Sequence, residues 1–109
     1  MARVGEIIGS EVAGWPGVKE REHRFGGREF RVNGHEIGHL HGDRLADLPF
    51  PVKVREELVA SGKAMVHHVM PQTGWVSYPI RQEEDVAGAL DLFRKNYERL
   101  TARRGIERA

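Results

Sequence analysis

The sequence predicts an α+β fold: one antiparallel sheet of about five strands with helices packed on one face. Three observations lead there. Apolar residues recur at helical spacing in three stretches, one near each end and one in the middle. The runs between them are short and are separated by turns rich in Gly, Pro and Asn. Most of those turns are too short for the crossovers that parallel strands require. At 109 residues the chain has room for one domain, expected to span 1–109 with a polar tail from about 102.

Val4, Ile8, Val12 and Trp15 fall on one helical stripe, which Gly14-Trp15-Pro16-Gly17 ends. Gly5 and Gly9 each weaken that helix by up to about 1 kcal/mol relative to alanine, so it needs the sheet for support. Extended runs follow at 18–25, at Arg28–Val32 after Gly26-Gly27, and at His35–His41. Asn33-Gly34, between the last two, is a strong signal for a two-residue hairpin with positive φ at the glycine. A brief extended piece is expected at 45–48. Pro51 suits the first turn of a helix whose apolar face is Val54 and Leu58 and whose stop is Gly62. The 64–70 segment is apolar on both faces, which places it in the middle of the sheet. A strand at 75–80 returns after Pro71-Gln72-Thr73-Gly74. Val86, Leu90, Phe93, Tyr97 and Leu100 then mark a closing helix from about Glu83 to Leu100.

Lys and Arg number 17 against 16 Asp and Glu, a formal net charge of +1. That balance excludes a chain-wide electrostatic grip on nucleic acid, so nucleic acid is an unlikely partner. The cluster Arg99, Arg103, Arg104 and Arg108 reads as a solvated helix end that complements the dipole. With no cysteine, disulfides, thiolate metal sites and a cysteine nucleophile are excluded. No apolar run approaches the roughly 20 residues that span a bilayer, so no membrane partner is expected and the expected location is cytoplasmic. No serine sits in a Gly-x-Ser-x-Gly elbow, and no glycine-rich phosphate loop opens a helix.

Six histidines are the outstanding feature of the composition, and their protonation makes the surface charge pH-dependent below about pH 6.5. Strand alternation puts His35, Ile37, His39 and His41 on one face, with Glu36 and Leu40 on the other. Same-face imidazoles can share a water, an anion or a metal. An exposed strand whose histidines simply meet water satisfies the ring nitrogens equally well. His67 and His68, as strand neighbours, are expected on opposite faces, so at most one joins the group. Trp75 shares a face with Ser77 and either packs or lines the same surface. Asp43, just past the histidine strand, is placed to orient an imidazole. A closed zinc site wants four ligands, and Glu36 is expected to face away. No tightly bound structural metal is therefore expected, and other cofactors stay unknown.

With those residues placed, the chain resembles a family of mainly bacterial proteins labelled the luciferase-like domain family. The matching features are Phe25-Gly26-Gly27-Arg28-Glu29-Phe30, Glu36-Ile37-Gly38-His39-Leu40-His41, Asp47-Leu48-Pro49, a histidine near His67 or His68, Gly74-Trp75-Val76 and the helix to Tyr97. The Glu-x-Gly-His-x-His piece is the specific part. From Leu58 through Trp75-Val76 to Tyr97 the chain is also similar to the MmcQ/YjbR proteins, which share a compact α+β fold and lack the histidines. The luciferase label implies an oxygen-reactive substrate or a flavin, and no motif in the sequence identifies either. The resemblance supports the fold and a site at Glu36, His39, His41 and one of His67 and His68.

The expected function is binding of a small molecule at a histidine-rich open sheet face, with catalysis left open. His39 and His41 are the acid–base candidates, and Glu36, Asp43, His67, His68 and Trp75 are candidates for ligand contact. The alternative is a non-enzymatic interaction module in which the same face meets a protein partner or a second copy in a homodimer. A concave pocket favours the first reading, and a flat apolar face favours the second.

Overall fold

The computed structural model describes residues 3–23 and 26–102. The Phe25 end of the first expected strand and the tail at 103–109 lie outside the described residues. The first helical stripe forms α1 (Val4–Ala13), with Ile8 and Val12 buried. Its N-cap, Arg3, makes no side-chain cap, and the Asp43 carboxylate accepts the Gly5 N–H at 2.7 Å instead. One of the orphan donors at the helix start is thus satisfied from across the fold. Lys19–Glu22 (β1), Arg28–Val32 (β2) and His35–His41 (β3) then form a meander. Between β2 and β3, Asn33 and Gly34 have φ of 53° and 78°, the paired positive values of a type I′ turn. Leu45–Pro49 (β4), Val52–Ala60 (α2), Met65–Val66 (β5), Trp75–Pro79 (β6) and Asp85–Thr101 (α3) complete the order.

Every strand pairing is antiparallel, in the order β1-β2-β3-β4-β6-β5. The α+β class holds, with six strands rather than about five. Two segments exchange importance relative to the sequence expectation. The piece at 45–48 is a full interior strand, paired on both sides, with Ala46 and Leu48 in the core. The 64–70 segment, expected in the middle, yields only a two-residue edge strand, and Met65, Val66 and Val69 are exposed. The cause is local. The His67 ring nitrogen Nδ1 accepts the backbone N–H groups of Val69 and Met70 at 3.1 and 3.0 Å, a side-chain turn that competes with the ladder and bends the chain away from β6.

A register shift decides what β3 presents to each side. Phe30 stands opposite Gly38 but Arg31 stands opposite Glu36, so one step on β2 matches two on β3, a β-bulge at Ile37. Ile37 and Gly38 consequently both lie on the helix side. Ile37 is fully buried, and a Cβ on Gly38 would stand 2.8 Å from atoms of both Leu48 and Phe93. Glu36 is thereby turned to the face of His39 and His41. This corrects the strict alternation expected for the strand, which grouped Ile37 with the histidines and set Glu36 opposite. The fully buried Asn96 of α3 donates from Nδ2 to the carbonyl of Ile37 at 2.8 Å and to that of Pro49 at 2.9 Å, so the bulge keeps a hydrogen-bond partner in the helix layer.

The helices cover one face of the sheet, α1 and α3 over β2 and β3 and α2 against β5 and β6. Phe30, Ile37, Leu40, Leu48 and Val76 from the strands meet Ile8, Val12 and Phe93 from the helices. Phe30 and Phe93 sit edge to face, 5.9 Å between centroids. On α3 the buried positions are Ala89, Leu92, Phe93, Asn96 and Tyr97, whereas Leu90 is only partly buried. Among the described residues no helix is long and apolar enough to cross a membrane.

Candidate functional site

The uncovered face of the sheet is polar in a specific order. Glu29 on β2 pairs with His39 on β3, His39 with Asp47 on β4, and Asp47 with Ser77 on β6. Antiparallel register therefore lines up four polar side chains in one row across four strands. Asp47, with no exposure to solvent, is the hub. Its Oδ1 accepts the Ser77 hydroxyl at 2.6 Å. Around its Oδ2 stand the Nε2 atoms of four imidazoles: His41 at 2.9 Å, His68 at 3.2 Å, and His39 and His67 at 3.5 Å. The bulge adds Glu36, whose Oε2 lies 2.6 Å from Nδ1 of His39. The rings of His39 and His41 are 4.8 Å apart, and the rings of His67 and His68 stack at 4.4 Å. His23 stacks on the other side of His39 at 4.0 Å, and Trp75 tilts over His39 at 5.5 Å.

These groups form the floor of a cleft of about 730 Å³ whose walls include Arg21, Arg31, Val69, Met70 and Trp75, a volume within the range of small-molecule sites. At the wall, Arg21 and Arg31 both bind the Glu29 carboxylate, at 2.9 and 2.8 Å. A second groove of about 890 Å³ lies between α2 and α3, but among the described residues the groups of His and Asp that could share an ion lie around Asp47 and not there. The side chains of His41 and His68 are 33% and 50% exposed, so each reaches from the buried hub into solvent.

The buried charges hold one another. Burial opposes ionisation of Asp47, but hydrogen bonds from His39, Ser77 and His68 outweigh it and hold the carboxyl well below the usual range. Burial likewise opposes charge on His39, and its hydrogen bonds to Asp47 and Glu36 overcome this, raising the ring to about 9. His67 and His23 go the other way, pushed down first by burial. For His67 the geometry also fixes the tautomer: with Nδ1 accepting two backbone N–H groups, the neutral ring carries its hydrogen on Nε2. Glu29 is lowered by Arg31 and Arg21 against the cost of burial.

The structure brings together Glu36, His39, His41, His67, His68 and Trp75 of the residues singled out in the sequence. Both His67 and His68 arrive, correcting the expectation of at most one, because the chain leaves the strand at Val66 and bends. Asp43 is not brought there: it faces the start of α1, where it accepts the Gly5 N–H. The carboxylate at the centre is Asp47, which entered the sequence reading only within the family feature Asp47-Leu48-Pro49 and was not placed in the site. Its signal is an acid in the middle of the apolar run Leu45-Ala46-Asp47-Leu48, a residue that an interior strand must pair when it buries it. Ser77 and Glu29 were noted only for their strand face and in the family motif and were not assigned to the site, and Asn96 was not singled out.

The sequence model of a family described as the Luciferase domain matches residues 34–96, more than half of the chain. The chain belongs to that family. The matched segment starts at the β2–β3 turn, ends at Asn96, and contains Glu36, Asp47, Ser77 and all four histidines around Asp47. Within this Luciferase domain the Asp47 cluster is therefore complete, while Arg21, His23 and Glu29 precede the match. No curated protein and no solved structure matches the chain.

Proposed function

We propose that the cleft is a small-molecule site in which imidazoles tied to Asp47 handle a proton of the bound compound. The observation that carries this reading is the pairing of a fully buried carboxylate with two half-open rings. His41 and His68 each spend Nε2 on Asp47, which orients the ring and leaves Nδ1 as the lone-pair nitrogen of the neutral form. His39, bridged between Glu36 and Asp47, serves the pair as a fixed neighbour. Trp75 offers a flat apolar wall, and Val69 and Met70 supply further apolar surface at the mouth. The concave, charged floor favours this reading over a flat interaction face.

A second reading has one observation in its favour. Met65 and Val66 on the edge strand β5 are 53% and 42% exposed, a short apolar edge that a second copy of the chain can pair with. A fragment screen by NMR separates the two. The first reading expects small cyclic fragments to shift the Trp75 indole and His41 ring signals together, with binding at least tenfold weaker in His41→Ala and unchanged in His35→Ala. It is contradicted if no fragment moves Trp75 while the Met65 and Val66 signals broaden with protein concentration.

A further inference from the structure

We infer that the Asp47 cluster binds a divalent first-row transition-metal ion, held by Asp47 Oδ2 and the Nε2 atoms of His39 and His41. This deepens the cleft reading and rests on it only for the location: with the ion on Nε2, His41 carries its hydrogen on Nδ1, and His68 keeps the lone-pair nitrogen that faces the cleft. It also departs from the sequence-based expectation of too few ligands. That expectation depended on Glu36 facing away and on one of His67 and His68 being absent, and the structure contradicts both premises.

Hydrogen bonding alone does not explain the convergence. A carboxylate oxygen has two lone-pair sites, and the His41 and His68 rings, at 2.9 and 3.2 Å, already occupy those of Oδ2. His39 and His67 nevertheless direct Nε2 at the same oxygen from 3.5 Å. Donor atoms that each lie about 2.0–2.2 Å from one ion stand roughly 2.8–3.6 Å from one another at octahedral to tetrahedral angles. The spacings from Oδ2 to His41 and His39, 2.9 and 3.5 Å, fall in that range, and the donor atoms of His39, His41 and Asp47 all lie within 4.8 Å of one another, whereas His68 groups with Asp47 and His67.

The surroundings of each donor sort the ligands. The Glu36 carboxylate at Nδ1 of His39 is the outer partner that holds a metal-binding imidazole with its lone pair on Nε2. The Ser77 hydroxyl occupies Asp47 Oδ1 and leaves Oδ2 for the ion. His67 is ruled out by its own turn, because Nδ1 accepts two backbone N–H groups and Nε2 therefore keeps its hydrogen. It stands as a donor beside the site. Two imidazoles and one carboxylate suit zinc, nickel, cobalt, iron or copper, whereas calcium and magnesium want oxygen ligands. His41 opens to the cleft, so coordination positions are left toward a bound molecule, as in catalytic rather than structural centres.

The test uses the full chain stripped with chelator and titrated with Zn²⁺ by calorimetry and with Co²⁺ by visible absorption. The expected result is one equivalent of each, with a Co²⁺ ligand-field band that Zn²⁺ abolishes. His41→Ala weakens Zn²⁺ binding at least tenfold, Glu36→Gln weakens it about tenfold to hundredfold through His39, and His35→Ala leaves it unchanged. The inference is overturned if the stripped protein takes up no Zn²⁺ saturably, or if His35→Ala removes the binding while His41→Ala keeps it. Should fragments still shift Trp75 in a protein that binds no Zn²⁺, the metal inference alone has failed and the cleft reading stands.

Discussion

At the scale of single residues, the site depends on who satisfies a buried charge. Ser77 gives Asp47 its one hydroxyl donor, and a hydrogen bond to a charged group contributes about 1.5–3 kcal/mol. Urea unfolding of Ser77→Ala is expected to show a loss of that size; a loss under about 0.5 kcal/mol would mean that Asp47 finds another donor. Glu29 carries a pH signature. Burial opposes its ionisation, but Arg31 and Arg21 win and depress it below its ordinary 4.5. Its contribution to stability is therefore present above pH 4.5 and lost as the pH falls through the depressed value. Unfolding midpoints measured across that acid range are expected to fall less steeply in Glu29→Gln than in the native chain. Parallel acid limbs would contradict the pairing. The histidines were legible at this scale, since a His-x-His spacing on a strand puts both rings on one face. Asp47 was not, because its partners are set by pairing between strands, and Asp43 sat nearer in sequence.

At the scale of elements, the β3 bulge is the decisive feature. Its position is fixed by packing: Gly38 admits Phe93 and Leu48 against the strand, and Asn96 gathers the carbonyls of Ile37 and Pro49. Asn96→Ala leaves two buried acceptors unserved and is expected to cost about 1–3 kcal/mol, with the His39 ring signals shifting although Asn96 lies on the opposite side of the sheet. A stable variant with unmoved His39 signals would show that the bulge holds without the helix. Hairpin and helix positions were readable from Asn33-Gly34, Pro51, Gly62 and the apolar stripes. The bulge was not, since alternation assumes regular pairing and nothing local in Glu36-Ile37-Gly38 announces a skipped residue. The shortening of the 64–70 strand was hidden for a similar reason: the His67 side chain, not the polarity pattern, ends it.

At the scale of the whole molecule, the sheet separates two tasks. The apolar core lies between the sheet and α1 and α3, and the polar cluster lies on the opposite face. Phe93→Ala is expected to cost about 3–5 kcal/mol, and Leu90→Ala less, because Leu90 is only partly buried. Comparable losses at both positions, read from urea midpoints, would place the helix rotated from the position described. The same separation means that chelation leaves the chain folded, with an unchanged far-ultraviolet circular dichroism spectrum, while added Zn²⁺ raises the melting temperature by mass action. The fold class was legible because local patterns specify elements. The site was only half legible, because it is assembled from β3, β4, β6 and the bend after β5, whose meeting depends on register.

The claim at the centre of this account is that one buried carboxylate, Asp47, organises four imidazoles. Ring-nitrogen NMR of the metal-free protein, native and Asp47→Asn, measures it most directly. The native spectrum is expected to show His67 as the Nε2–H tautomer, and the substitution is expected to shift the ring nitrogens of His39, His41, His67 and His68 together while His35 stays in place. Four histidines that ignore the substitution in a folded variant, or an His67 ring protonated on Nδ1 alone, would contradict it.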